Sequence, residues 1–536
     1  MRGQEDHPVT DWGVMGSMAG QRATNRRLQN LLQKQTMASK RKTGCQCRTF
    51  WVAVLLLASV SAIITIAVIQ RHWRVQEYGL EYGIVVDSGS SRSTVYLYHW
   101  PGEKKNETGV VSEVLNCKVF GNGISDMLVD AEKDKNTWAS FTGCMQKVTE
   151  EIPVEKRQKT PLFLGATAGM RLLNQVDQNR SDEVIISLKQ YLKALPFAFK
   201  DATILTGQQE GLYGWVTVNY LMGNFEEKTL LNSLFHAGGA STVGSMDLGG
   251  ASTQLAFQVG EELKGEDFLP VRLYGYDYNV YAHSYLCYGK NEAAKQILDR
   301  IIKASPDPTT IQNHCYQEGF NVTIKASDVY NSPCTQTPDN FDPDQQITFV
   351  GKPDSDRCRE LVRELFDFTN CTAQGCSFNG VQQPPVQGKF MAYAGFFYTA
   401  KALRLNGTTE LDVFNSTMRE FCHTNKEMLI ASRPEISERF LITYCYSAHY
   451  VLTLLVDGYK FDPDTWQNIA FEKEVEGTSL GWSLGFMLSM SNMIPSDAKE
   501  ILPMANPVFA GLIFLFSALM IITVVFLFIM LIRTCY

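Results

Sequence analysis

Two long apolar runs set the strongest limit on how this chain can fold. The first covers residues 50–69 and the second covers residues 508–532, and neither contains a charged side chain. A helix of about 20 apolar residues crosses the roughly 30 Å of hydrocarbon in a bilayer. Both runs are therefore predicted to be transmembrane helices. A cleaved signal peptide is the alternative for the first run, but that run is longer than the apolar part of a signal sequence and no small-residue cleavage site follows it.

The distribution of charge orients the two helices. Residues 1–49 carry nine Lys/Arg and three Asp/Glu, whereas residues 50–506 carry 39 basic and 53 acidic side chains, a net charge of 39 − 53 = −14. Positive charge favours the cytoplasmic side of a membrane. The tail 1–49 and the last residues, 533–536, are therefore predicted to be cytoplasmic, and the interval between the helices extracellular or lumenal. An acidic interval of this kind does not suggest nucleic acid as a partner.

Two further features place this interval outside the cytoplasm. It contains every glycosylation sequon of the chain, at Asn106, Asn179, Asn321, Asn370, Asn406 and Asn415. It also contains ten of the 13 cysteines, an even number that suits disulfides in an oxidising compartment. Five disulfides are predicted, and linear spacing leaves their pairing open.

A strand, a turn rich in Gly and Ser, and a second strand are predicted twice in the interval. Tyr82–Tyr98 reads YGIVVDSGSSRSTVYLY, and Ser245–Phe257 reads SMDLGGASTQLAF. Aligning Asp87 with Asp247 also aligns Gly89 with Gly249. Glycine allows backbone amides to approach an anion closely, and hydroxyl groups add donors. The pair of turns therefore predicts a polyphosphate site between two lobes.

Each of these residues also has a simpler explanation. A single Gly-rich hairpin more often only completes a turn, and either aspartate alone could cap a strand end. The duplication favours function: Asp87 and Asp247 would hold Ca²⁺ or Mg²⁺, since both ions prefer oxygen ligands. Glu210, in a Gly-flanked turn before the helical stretch 212–223, is the candidate base for an attacking water. Without the other motifs it would be read as a solvated residue near a helix start.

Three more segments complete a family resemblance. They are LGATAGMRLL (Leu164–Leu173), TGQQEGLYGWVTVNYLMG (Thr206–Gly223) and GWSLGFML (Gly481–Leu488). With the two turns, they resemble in order the apyrase motifs of the ecto-nucleoside triphosphate diphosphohydrolases, and the flanking helices and ten cysteines resemble the cell-surface subgroup. The resemblance implies an α/β fold with two RNase H-like lobes of the actin, Hsp70 and sugar-kinase type. Lobe I would cover residues 80–206 and return at 471–500, and lobe II would cover 207–470.

The resemblance also implies a role for individual residues. Glu210 would be the catalytic base, and Gln254 would position the water with it. Asp87 and Asp247 would hold the cation through water, with Thr167, Glu210 and Trp482 near the hydrated ion. Phosphate oxygens would contact Ser90, Ser91, Thr167, Ala168, Gly249, Gly250, Ala251 and Ser252. The nucleobase of the substrate would stack between Tyr398 and Lys290. Lys290 replaces the Arg expected from close relatives. The implied disulfides are Cys117–Cys144, Cys287–Cys334, Cys315–Cys358, Cys371–Cys376 and Cys422–Cys445.

The expected function is metal-dependent hydrolysis of extracellular ATP, ADP, UTP and UDP to monophosphates by direct water attack, which would shape purinergic signalling. Two alternatives stay open: a phosphotransferase or ATP-driven clamp on the same scaffold, and an inactive nucleotide receptor. Small residues in both apolar runs also suggest a homo-oligomer held together within the lipid bilayer.

Overall fold

The computed structural model describes residues 48–71, 75–121, 123–126, 135–228, 241–260, 265–306, 309–339, 341–370, 375–494, 498–501 and 504–535. Most of the predicted cytoplasmic tail and Cys371 lie outside the described residues. The chain divides into two compact units, residues 1–77 with 498–536 and residues 78–497.

The first unit contains both predicted membrane segments, and both are helices as expected. They extend over Arg48–Arg71 and Asn506–Cys535. In the most apolar window of each helix, only 6% is buried inside the protein. The short strands Val75–Tyr78 and Ala498–Ile501 pair in the same unit. Among the described residues, Glu438–Gly458 is also apolar and long enough to cross a membrane. Because 78% of its most apolar window is buried inside the second unit, it is a core segment and not a membrane span.

The strands are β1 (Val75–Tyr78), β2 (Leu80–Ser88), β3 (Ser93–Pro101), β4 (Ser112–Val119), β5 (Pro161–Ala166), β6 (Ala198–Ile204), β7 (Gly244–Leu248), β8 (Ser252–Gln258), β9 (Phe268–Leu273), β10 (Tyr276–Leu286), β11 (Thr310–Asn313), β12 (Asn321–Lys325), β13 (Gln346–Gly351), β14 (Phe390–Ala394), β15 (Gly407–Thr408), β16 (Ile469–Phe471), β17 (Glu474–Val475), β18 (Thr478–Ser479) and β19 (Ala498–Ile501).

The helices are α1 (Arg48–Arg71), α2 (Lys135–Glu151), α3 (Val154–Arg157), α4 (Ala168–Val176), α5 (Gln178–Lys193), α6 (Gly207–Leu221), α7 (Lys290–Ala304), α8 (Ala326–Tyr330), α9 (Ser355–Arg363), α10 (Gly395–Ala402), α11 (Leu411–His423), α12 (Lys426–Ser432), α13 (Glu438–Leu441), α14 (Tyr444–Thr453), α15 (Pro463–Trp466), α16 (Trp482–Ser491) and α17 (Asn506–Cys535). A 3₁₀ turn covers Ile124–Asp126, and a π-helical turn covers Leu454–Gly458.

Two large sheets repeat the same connectivity. The first has the order β4-β3-β2-β5-β6, and the second contains β10-β8-β7-β14-β16 with β9 and β15 at its edges. In each, three antiparallel strands lie beside two parallel ones. The hairpin registers agree residue for residue, because Asp87 pairs with Thr94 and Asp247 with Gln254. The predicted α/β fold with a duplicated strand-turn-strand core is therefore confirmed.

Helices α6 and α16 join the two sheets. One hydrophobic cluster contains Val85 and Tyr98 of the first sheet, Val280 of the second, and Trp215 and Met487 of the two helices, all fully or almost fully buried. Separate clusters fill the outer faces of each sheet. The common cluster sets the positions of the two turns, which follow β2 and β7, relative to each other.

The disulfides agree with the pairing that the resemblance implied. Cys117–Cys144, Cys287–Cys334, Cys315–Cys358 and Cys422–Cys445 are formed. Cys376 is also in a disulfide, but its expected partner, Cys371, lies outside the described residues.

Candidate active site

The two predicted phosphate turns have the same backbone geometry. The amide of Gly89 donates to the carbonyl of Arg92, and the amide of Gly249 donates to the carbonyl of Ser252, both at 3.0 Å. The turns also touch each other. A Cβ atom added to Gly250 would lie 2.6 Å from Ser90 Oγ, so a side chain at position 250 would displace the Ser90 hydroxyl group.

The turns form walls of a cavity of about 320 Å³. Nearly every predicted site residue lines it: Asp87, Ser90, Ser91, Thr167, Ala168, Glu210, Asp247, Gly249, Gly250, Ala251, Ser252, Lys290, Tyr398 and Trp482. These residues come from segments almost 400 positions apart, and the fold brings them together. Gln254 does not line the cavity but bonds to Glu210, which does.

Two carboxyl groups at the ends of equivalent strands form the acidic part of this cavity. Burial raises the pKa of Asp87 to about 7, although the indole Nε1 of Trp482 donates to its Oδ1 at 2.9 Å and opposes the shift. Burial also raises the pKa of Asp247 well above its usual value, and the charges of Glu210 and Asp87 raise it further. Among the described residues, no basic side chain forms an ion pair with Asp247. Neighbouring buried carboxyl groups with raised pKa values suit a divalent cation, which would stabilise their charged forms.

Glu210 lies inside a helix, so its predicted place in a turn before the helical stretch was wrong. Helix α6 begins at Gly207 because Thr206 and Gln209 form a capping box: Thr206 Oγ1 accepts from the Gln209 amide, and Gln209 Oε1 accepts from the Thr206 amide, both at 3.1 Å. The T-x-x-Q pattern in the sequence was the signal for this start. The cap fixes the first helical turn, which carries the Glu210 carboxylate into the cavity.

Two side chains hold the Glu210 carboxylate. Its Oε2 accepts from Arg171 Nη2 at 2.8 Å and from Gln254 Nε2 at 3.0 Å. Gln254 Nε2 also donates to Ser252 and Ser284. The carbonyl oxygen of Gln254 is buried and has no partner within the protein. A buried acceptor of this kind is normally satisfied by a water, so Gln254 can hold a water next to Glu210.

Tyr398 and Lys290, the two residues expected to contact the nucleobase, both line the cavity. Tyr398 is 39% exposed on α10. Lys290 is the first residue of α7, and its ammonium group lies 4.4 Å from the ring centre of Tyr444 and donates to Thr443 Oγ1 at 3.2 Å. Burial lowers the pKa of Lys290 to about 8. The lysine is therefore held against Tyr444, and Tyr398 is the more accessible aromatic face.

Sequence reasoning missed several residues of the site, among them Arg171 and Ser284. Arg171 lies within one of the quoted motifs, four residues after Thr167 and thus on the same side of α4. Besides Glu210, it contacts Ser252 Oγ at 3.1 Å and the Leu205 carbonyl at 3.1 Å. Ser284 pairs with Gln254 across β10 and β8. The helical spacing gave a signal for Arg171, whereas Ser284 had none because its strand carries no motif.

Comparison with known proteins gives consistent matches. Residues 75–504 match the GDA1/CD39 (nucleoside phosphatase) family. Ectonucleoside triphosphate diphosphohydrolase 3 of Homo sapiens is 45% identical over 486 residues, which is 89% of this chain and 91% of the relative. Ectonucleoside triphosphate diphosphohydrolase 1 of Rattus norvegicus is 38% identical, with 89% and 94% covered. The crystal structure of a nucleoside triphosphate hydrolase from Neospora caninum is similar in fold, with a TM-score of 0.56, 15% identity, and 78% of this chain and 94% of that chain covered.

Proposed function

Since this chain belongs to the GDA1/CD39 nucleoside phosphatase family, we propose that it hydrolyses nucleoside tri- and diphosphates, including ATP, ADP, UTP and UDP, to monophosphates and phosphate by direct attack of water. One observation carries the proposal. Glu210 and two buried aspartates meet in a cavity whose walls are the two phosphate turns, and Gln254 bonds to the Glu210 carboxylate. The names of the relatives, ectonucleoside triphosphate diphosphohydrolases, support the same substrate class.

The residues divide the work as follows. Backbone amides and hydroxyls of the turns at Ser90 and Ser252 hold phosphate oxygens from two sides. Gln254 orients the attacking water through its unpaired carbonyl oxygen, and Glu210 accepts the proton of that water. Arg171 fixes the carboxylate by a charge-assisted hydrogen bond. No side chain is needed as a nucleophile, so the phosphoryl group passes directly to water.

A divalent cation, which we take to be Ca²⁺ or Mg²⁺, fits between Asp87 and Asp247. Bound there, it would neutralise the charge of the phosphate oxygens and of the two carboxylates. Trp482 holds the Asp87 carboxyl in orientation through its indole N–H. Thr167, which makes no side-chain capping bond at the start of α4, leaves its hydroxyl available to the same part of the cavity.

Tyr398 and Lys290 are the residues proposed to contact the nucleobase of the substrate. Stacking on an aromatic ring accepts any nucleobase, so broad base specificity is expected. The lysine would contribute charge beside the base and not the planar stacking that an Arg provides.

The location of the enzyme is also a proposal. The chain has apolar helices near both ends, and we place the interval between them outside the cell with both termini in the cytoplasm. The formed disulfides support an oxidising compartment. Of the six sequon asparagines, only Asn415 is half-buried, and the others are exposed. Small side chains such as Ser59 and Gly511 in the spans support a homo-oligomer.

Phosphate release by intact cells that express the full chain tests this function. ATP and ADP added outside should both be hydrolysed, and a chelator should abolish the activity. A phosphotransferase would pass the phosphoryl group to an acceptor other than water and would release no free phosphate, and an inactive receptor would bind nucleotide with no release above that of untransfected cells. Either of these results would overturn the proposal.

A further inference from the structure

Three cations lie around one acidic residue, Asp457: two of them face its carboxylate and the third bonds to its backbone carbonyl. Asp457 Oδ2 lies 2.5 Å from Arg363 Nη1 and 3.5 Å from Arg359 Nη2. The ammonium group of Lys460 donates to the Asp457 carbonyl at 2.6 Å. Arg359, Arg363 and Lys460 are here named the Asp457 cation cluster. None of its members lines the nucleotide cavity.

The local backbone holds these groups in place. Asp457 lies in the π-helical turn Leu454–Gly458, a rare form that is often found at functional sites. Lys460 follows with a φ of 70°, an unfavourable conformation for a residue with a side chain. Arg359 and Arg363 are four residues apart in α9, and Arg363 is its last residue, so the two lie on one face of the helix.

An aromatic ring adds a further support for the cations. The Phe368 ring has Lys460 Nζ at 5.0 Å and the guanidinium carbon of Arg363 at 5.4 Å from its centre. Phe366 stacks on Phe368 at 5.8 Å and so fixes the ring. The two cations are thus held close together, although they repel each other.

The charges in the cluster do not balance. The cluster holds three cations around Asp457, whose carboxylate faces two of them, so the four side chains together carry an excess of two positive charges. Partial burial lowers the pKa of Lys460, and the nearby charge of Arg363 also lowers it, whereas Asp457 opposes both effects. By contrast, the exposed Arg419 on α11 pairs one to one with Asp356 at 2.7 Å. The cluster is therefore a local excess of positive charge within an otherwise acidic interval.

We propose that the Asp457 cation cluster binds a sulfate or phosphate group of an extracellular ligand. Two guanidinium forks and one ammonium group offer several charged donors, and tetrahedral oxyanions accept such donors in charge-assisted pairs. The exposed side chains of Arg363 and Lys460 leave the donors accessible. This site is separate from the catalytic cavity and does not depend on the proposed hydrolysis.

Calorimetry on the purified full chain in detergent, at fixed ionic strength, tests the proposal. The probes are a sulfated heparin oligosaccharide and inorganic phosphate, which distinguish a sugar-borne sulfate from a free phosphate. At least one should bind the wild type. Lys460→Gln and Arg363→Gln should each raise the dissociation constant by about tenfold, which is the contribution expected from one charge-assisted hydrogen bond.

Arg419→Gln is the matched control, because it removes the same charge from a balanced pair. It should leave the affinity within about twofold of wild type, as expected for an exposed pair. ATP hydrolysis should be unchanged in every variant. If neither probe binds the wild type, or if Arg419→Gln weakens binding as much as Lys460→Gln, the proposal is wrong. Should Arg363→Gln unfold because Asp457 loses its partner, Lys460→Gln alone decides.

Discussion

Glu210→Gln is the most direct test of the catalytic site. Two donors, Arg171 and Gln254, share Oε2 of the carboxylate. In the variant, the amide carbonyl can occupy the position of Oε2 and keep both contacts, so the amide NH₂ takes the other position. That group donates a hydrogen bond and cannot accept the proton of a water. The change therefore removes the base and little else.

The expected loss of turnover follows from the rate acceleration that a general base usually provides. Turnover should fall by about 10²–10⁴-fold, or about 2.7–5.4 kcal/mol in activation free energy, with nucleotide binding retained. Phosphate release and nucleotide affinity are measured on variants checked for surface expression and glycosylation. Gln209→Glu is the control: it keeps the capping box and should retain turnover close to wild type. If Glu210→Gln keeps more than about a tenth of wild-type turnover, well short of a general-base effect, another residue activates the water.

The aspartates are expected to behave differently from Glu210. Asp247→Asn should raise the Ca²⁺ or Mg²⁺ concentration needed for half activity, which a metal titration measures, and an unchanged titration would contradict its assignment. Trp482→Phe removes the hydrogen-bond donor that opposes the raised pKa of Asp87. More of the Asp87 carboxyl is then protonated near its pKa of about 7. The metal concentration needed for half activity should therefore rise more at about pH 6.5 than at about pH 8.5. Removal of Cys287–Cys334 by a double Ser substitution should lower turnover, because the Cys287 amide donates to the carbonyl of Ala251 in the second turn at 2.9 Å. The control is removal of Cys315–Cys358, whose cysteines are 43 residues apart, similar to the 47 residues between Cys287 and Cys334. This control disulfide forms no hydrogen bond to the second turn among the described residues. Equal losses of turnover in the two variants would contradict a local effect of Cys287–Cys334 on that turn.

The duplicated core could be predicted from sequence because each half is encoded locally. An apolar strand, an Asp and a Gly-rich turn lie within about 17 consecutive residues, and the register follows from the turn. The same residues also gave Asp87 and Asp247 equivalent positions. The helix start at Gly207 was equally local, through the capping box, and was missed only because the glycines around Glu210 suggested a turn.

Contacts between distant segments could not be predicted in the same way. Ser284 and Gln254 are 30 residues apart and meet through strand pairing, and no motif marks Ser284. The Asp457 cation cluster joins a helix, a π-helical turn and a phenylalanine from separate stretches. In sequence, each of its cations would be read as an ordinary solvated residue, because the excess of charge appears only when the segments are packed.

Arg171 connects three of the sequence motifs. Its guanidinium bonds to the carbonyl of Leu205, which precedes the cap of α6, to the Glu210 carboxylate and to Ser252 in the second turn. The arginine itself is carried by α4, which follows β5 of the first sheet. One side chain thus connects the first sheet, helix α6 and the second turn. Because the position of the Glu210 carboxylate depends on both halves of the fold, we expect a single motif out of this context to bind phosphate weakly and to hydrolyse nothing.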